Sequence, residues 1–79
     1  MLGKPKYKVG DIVKFELGKG VKEGIVFVVD RYGTFEYTED VSYDFINKDE
    51  NIVYKHFPEK YVIEKIGEIS EEDTYKLLL

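Results

Sequence analysis

Residues with the means to do chemistry are sparse in this sequence, and they do not cluster. Nucleophilic catalysis needs a hydroxyl or thiol beside a positioned base. The chain has two serines, Ser42 and Ser70, a single histidine, His56, to serve them, and no cysteine. Ser70 stands three residues ahead of Asp73, where a helix cap is wanted, and His56 falls within an apolar stretch that reads as a strand, so it reads as a surface histidine. By type, Glu39-Asp40, Asp49-Glu50 and Glu71-Glu72-Asp73 could move protons or hold a cation. Adjacent side chains diverge on strands and helices, and no calcium-loop spacing with its glycine and closing glutamate occurs, so these read as solvated acids. Gly18-Lys19-Gly20 lacks the Lys-Ser/Thr continuation of a phosphate loop and reads as a hairpin turn. No motif asks for a cofactor or a metal, and no cluster specifies a reaction, so the chain reads as non-enzymatic.

The elements that would position these residues must come from one small domain. A chain of 79 residues buries only ~60–65% of the surface its unfolded form exposes, and its stability by size is ~4–10 kcal/mol. Without disulfides or a metal to staple it, the core must come from seven Tyr and five Phe, which bury large areas per residue. No apolar run approaches a membrane span and Met1–Pro5 lacks the hydrophobic region of a secretory signal, so the cytoplasm is the expected compartment. The net charge of −4 is unevenly placed: residues 1–22 hold six Lys against Asp11 and Glu16, whereas the remainder holds six basic and fourteen acidic residues. A lysine-rich end can mark a contact edge for phosphates, although lysines also blunt exposed strand edges.

The stretch 24–33 organises the rest. Ile25-Val26-Phe27-Val28-Val29 is unbroken, β-branched or aromatic, and lies between two glycines, which predicts a central strand covered on both faces. In so short a chain that requires a sheet rolled on itself, a small barrel. Residues 1–7 read as a loosely attached lead-in. A Gly10-Asp11 turn opens a first strand, with Val9, Val13, Phe15 and Leu17 on one face, and Gly18 and Gly20 offer positive φ at two positions for the reversal that follows. After the central strand, 34–40 is an arm too polar for a core strand and too aromatic for a plain loop. Residues 41–45 alternate as a third strand and 52–57 as a fourth, joined across Lys48-Asp49-Glu50-Asn51. Pro58-Glu59-Lys60 predicts a 3₁₀ turn, 61–66 a fifth strand, and 70–79 a short C-terminal helix whose Tyr75 and Leu78, with Leu79 a further candidate, must pack on the barrel or on a partner.

The order of these pieces resembles SH3-like barrels of the KOW and Tudor kind. The likeness is carried by Lys8-Val9-Gly10-Asp11-Ile12-Val13-Lys14-Phe15, Gly24-Ile25-Val26, Tyr43-Asp44-Phe45, Tyr54, and Phe57-Pro58-Glu59-Lys60-Tyr61-Val62. It covers residues 8–66 and implies an all-β fold: a five-stranded barrel with a 3₁₀ turn before the last strand, followed by the 70–79 helix. The chain is also similar in overall look to small proteins of bacterial prophages and mobile elements. It departs from peptide-binding SH3 domains in lacking tryptophan, and from KOW modules in lacking a broadly basic surface. Barrels of this kind bind proteins, peptides or nucleic acids. The expectation is therefore a binding module that contacts another protein through Tyr32, Phe35 and Tyr37 in the arm, aromatics placed where the chain is otherwise polar. A plug for the barrel end is the competing use of Phe35 and Tyr37. The alternative is nucleic-acid binding by Lys14, Lys19 and Lys22, with Lys4, Lys6 and Lys8 nearby. The net negative charge opposes it, because phosphate neutralisation supplies most non-specific affinity.

Overall fold

The computed structural model describes residues 4–31 and 40–79. Five strands, β1 (Asp11–Leu17), β2 (Gly20–Asp30), β3 (Ser42–Asn47), β4 (Ile52–Pro58) and β5 (Val62–Glu68), form one antiparallel sheet in the order β4-β3-β2-β1-β5. A 3₁₀ turn, Glu59–Tyr61, precedes β5, and α1 (Glu71–Lys76) follows it. The expected all-β chain of five strands, a 3₁₀ turn and a short terminal helix is what the protein adopts.

The sheet curls because β2 is shared. Its first part, Gly20 to Ile25, pairs with β1, and its second, Ile25 to Asp30, pairs with β3. Between Val26 and Val28 the register slips by one residue at Phe27, a bulge that bends a strand and raises its twist. Phe15 of β1 thereby reaches rings two and three strands away. It stacks on Phe45 at 4.6 Å between centroids and meets Tyr54 and Phe57 of β4 edge-on at 5.2 and 4.8 Å. With Val13, Val26, Val41 and Tyr43 these rings make the core, and each large side chain fully buried contributes ~1.5–3 kcal/mol. The backbone must leave room for them: a Cβ at Gly24 would lie 2.7 Å from the Phe45 Cβ and 3.0 Å from the Phe15 ring.

The bulge also corrects the reading of the central strand. Alternation puts Gly24 and Val26 inward, and the extra residue at Phe27 then turns Val29 inward and leaves Val28 exposed. The two faces are thus not equally covered. The strand runs 20–30 rather than 24–33, because the polar Val21-Lys22-Glu23 stretch is held against β1 as the near arm of a hairpin. In that hairpin Gly18 alone of the two turn glycines has positive φ, 60°. The other boundaries differ modestly: β1 begins at Asp11, β3 runs to Asn47 and β5 to Glu68.

The segments flanking the sheet are both fastened to it. Lys6 donates its backbone N–H to Glu59 Oε2, and Tyr7 packs edge-on against Tyr43 and donates its N–H to that hydroxyl, so the lead-in is attached at its second half. Val9 lies in the turn before β1 and does not join the core face predicted for it. Gly10 has φ 98°, and a Cβ there would sit 2.2 Å from the Ile69 carbonyl oxygen, where the chain enters α1. Ser70 caps that helix as the sequence predicts, accepting from the Asp73 N–H at 3.0 Å. Its anchor differs from the one expected. Thr74 is fully buried beside Gly10, whereas Tyr75 and Leu78 are 45% and 42% exposed and Leu79 is wholly so. The six-residue helix meets the sheet at β2, and Tyr75, Leu78 and Leu79 are left largely exposed.

Candidate functional site

Where the curled sheet fails to close, a cleft remains. β4 and β5 are the two edges of the sheet, and between the β4 edge and the tip of the β1–β2 hairpin lies a hollow of about 520 Å³. One wall is built by the hairpin tip, with Leu17 and Gly18. The other is built by β4 and the 3₁₀ turn, with Tyr54, Phe57, Pro58 and Tyr61. The aromatic wall grows outward from the core: Phe15 holds Phe57, and Phe57 holds Tyr61 edge-on at 6.0 Å. Pro58 stops the ladder and sets the first turn of the 3₁₀ segment, with φ −66°. The turn itself is pinned through Glu59, whose N–H bonds the Val41 carbonyl and whose carboxylate accepts the Tyr43 hydroxyl proton. Burial, and then that carboxylate, raise the Tyr43 hydroxyl well above the ordinary tyrosine value, so it stays a donor. The Lys60 ammonium sits 5.3 Å from the centre of the Tyr61 ring.

His56 lines this cleft as an exposed residue of β4, but not as a regular one. Its φ is 58°, in the left-handed region that non-glycine residues rarely enter, and its backbone N–H is held by Asp44 Oδ1 at 2.8 Å. The register between β3 and β4 slips at this place, two β4 residues standing opposite Asp44. The bulge turns the β4 edge away from a regular ladder, so the wall presents side chains rather than a row of open backbone groups.

The groups singled out for chemistry do not meet. Ser42 is 1% exposed and its hydroxyl has no hydrogen-bond partner, His56 included, so no nucleophile–base pair forms. Asp40 accepts the Lys60 N–H, Glu50 pairs with Lys22 and bonds Asn47, and Glu71 accepts from the Tyr75 hydroxyl; Glu39 lies outside the described residues. Among the described residues no three His, Cys, Asp or Glu side chains could share a metal ion.

Of the residues expected to bind a partner, Tyr32, Phe35 and Tyr37 lie outside the described residues, so neither their use as a contact nor as a plug is tested. The lysines are described, and they diverge. Lys14 stands between its register partners Glu23 and Glu64, and Lys22, opposite Phe15 on the other face of the ribbon, pairs with Glu50 at 3.1 Å. Lys19 is exposed in the turn. These three form no single row that a phosphate backbone could follow. The cleft itself was missed in the sequence because its walls come from residues some 40 apart, and only the spacing Tyr54, Phe57, Tyr61 hinted at it.

A second hollow, about 540 Å³, lies between β2 and α1, lined by Val9, Phe27, Arg31 and Tyr75 among others. One of its walls is the short helix anchored by Thr74, whereas the first cleft is walled by rings packed into the core. Scans against protein-family models, curated proteins and solved structures find no match, so the site stands on its own geometry. Among the described residues no helix is long and apolar enough to cross a membrane.

Proposed function

We propose that this chain is a non-enzymatic binding module of the SH3-like barrel kind, which holds a protein partner in the cleft between the β1–β2 hairpin tip and β4. The observation that carries this reading is the preformed aromatic wall, Tyr54, Phe57 and Tyr61, braced on Phe15 and left open to solvent where the sheet does not close. Clefts of a few hundred Å³ with apolar walls and a few polar groups are where binding concentrates, and rigid aromatics supply contact area at small entropic cost. The arm joins the same neighbourhood at its far end. Asp40, the last residue of the arm and the one described, accepts the N–H of Lys60 beside Tyr61, so Tyr32, Phe35 and Tyr37 are proposed as further contacts.

A photo-crosslinking residue in place of Tyr61, in the native host, tests the reading. A defined protein should be captured there, and its yield should fall at least tenfold when Leu17→Ser is added, with melting shifted by no more than ~3 °C. Capture that is indifferent to Leu17→Ser would refute the cleft as the contact.

A further inference from the structure

The charges around the cleft say what kind of segment it takes. The ion pairs among the described residues lie elsewhere: Lys8 and Lys65 with Asp11 and Glu68, Lys22 with Glu50, and Lys76 with Glu72 and Asp73. At the cleft, Lys55 lines the β4 wall, Lys60 overhangs the Tyr61 ring, and Lys19 follows Gly18 on the hairpin tip, none of them within an ion pair. The acids nearby are Glu16, on the hairpin wall, Asp44, one of whose oxygens is directed at the His56 N–H, and Asp40, one of whose oxygens is directed at the Lys60 N–H. The Glu59 carboxylate turns away to Tyr43 and the Lys6 amide. A molecule of net charge −4 thus keeps three uncommitted lysines around one aromatic cleft.

We infer that the cleft takes an extended acidic peptide segment of a protein partner, its aromatic or aliphatic side chain against Phe57 and Tyr61 and its carboxylates toward Lys19, Lys55 and Lys60. This rests on the reading of the cleft as the binding site. The His56 bulge and Pro58 interrupt the β4 edge, so the segment is held by side chains and charge rather than as an added strand. A carboxylate reaching Lys60 meets an ammonium already placed over a ring that the same segment packs against, and charge complementarity of this kind sets partner choice. Nucleic acid fits less well. Three phosphate contacts give a slope of log affinity against log salt of only about −2 to −3.

The test uses three fluorescent probes on the full chain at 50 mM salt: a blocked seven-residue peptide with a central tyrosine flanked by glutamates, its lysine-flanked counterpart, and a ten-residue oligouridylate. The acidic peptide should bind with a Kd below about 1 mM and at least tenfold tighter than the lysine peptide. Its amide shifts should centre on Gly18, Lys55 and Tyr61, and the exposed double change Lys55→Glu, Lys60→Glu should reverse the preference. Equal binding of both peptides, each weakened by Tyr61→Ala, would overturn the charge inference and leave the cleft reading standing. Tighter oligouridylate binding, or no binding of either peptide at millimolar concentration, would also overturn it, and the crosslink at Tyr61 decides the cleft reading separately.

Discussion

Residue by residue, the core was legible because aromatic side chains have nowhere else to go in a chain this small, but the two residues that tune it were not. Gly24 read as the edge of an apolar run; its role is to leave the floor of the core open beneath Phe15 and Phe45. Gly24→Ala should therefore cost ~1–3 kcal/mol by overpacking, read as a lower urea midpoint with unchanged slope. Ser42 read as one of two serines able to act as a nucleophile, and its hydroxyl is buried with no partner. An unsatisfied buried polar group lowers stability, so Ser42→Ala should hold or raise it, by about 1 kcal/mol, in the same urea titration. A loss above that would mean the hydroxyl is bonded in solution. Nothing in sequence distinguishes these two outcomes for a serine, because both depend on what the neighbouring strands bring to it.

At the scale of elements, composition and alternation located every strand among the described residues, the 3₁₀ turn and the capped helix. What they did not reveal was phase. A period-two pattern assigns faces only while the register holds, and bulges at Phe27 and at His56 each turn the following residues over. That is why Val28 is exposed within an apolar run, and why β4 offers a wall of side chains instead of a plain edge. The helix shows a related limit. Its apolar residues Tyr75, Leu78 and Leu79 invited a docking role, yet the small Thr74 is the one buried, since the approach of Ile69 to Gly10 decides which side of the turn faces the sheet. Removing residues 70–79 should lower stability by ~1–2 kcal/mol, whereas Tyr75→Ala with Leu78→Ala should change it by no more than ~0.5 kcal/mol. Thermal or urea melts of the two variants separate an anchor at Thr74 from one in the later apolar residues.

For the whole molecule, the candidate site is a product of topology: the cleft lies where a curled five-stranded sheet leaves its edge strands β4 and β5 unpaired with each other, which no local stretch encodes. The same topology brings the first turn of the chain against the last strand. There Asp11, 3% exposed, accepts from the Lys8 backbone N–H at 3.0 Å, from the Lys8 ammonium at 2.8 Å and from Lys65 at 3.1 Å, while Glu68 takes the other side of the Lys8 ammonium at 2.8 Å. Burial works to raise the Asp11 carboxyl, but the bonds from Lys8 and Lys65 outweigh it and hold the group below its ordinary value of 3.8; bonding to Lys8 and the charge of Lys65 lower Glu68 likewise. A carboxyl whose folded value is depressed contributes stability that is present above its unfolded value and lost as pH falls through the folded one. Lys8 is raised, so its share is complete below its unfolded value and leaves only in strong alkali. The fastening should therefore hold at pH 7 and weaken below about pH 4. Glu68 shares Lys8 and Lys65 with Asp11, so the difference between wild type and Asp11→Asn reports the cluster these four residues form. Urea stability measured from pH 7 to pH 2.5 should fall more steeply below pH 4 for wild type than for Asp11→Asn, which starts lower at pH 7. Salt at pH 7 should weaken the exposed Glu68 contact more than the buried Asp11 one. Parallel pH profiles for the two proteins would show that the ends of the chain are not held together by this cluster.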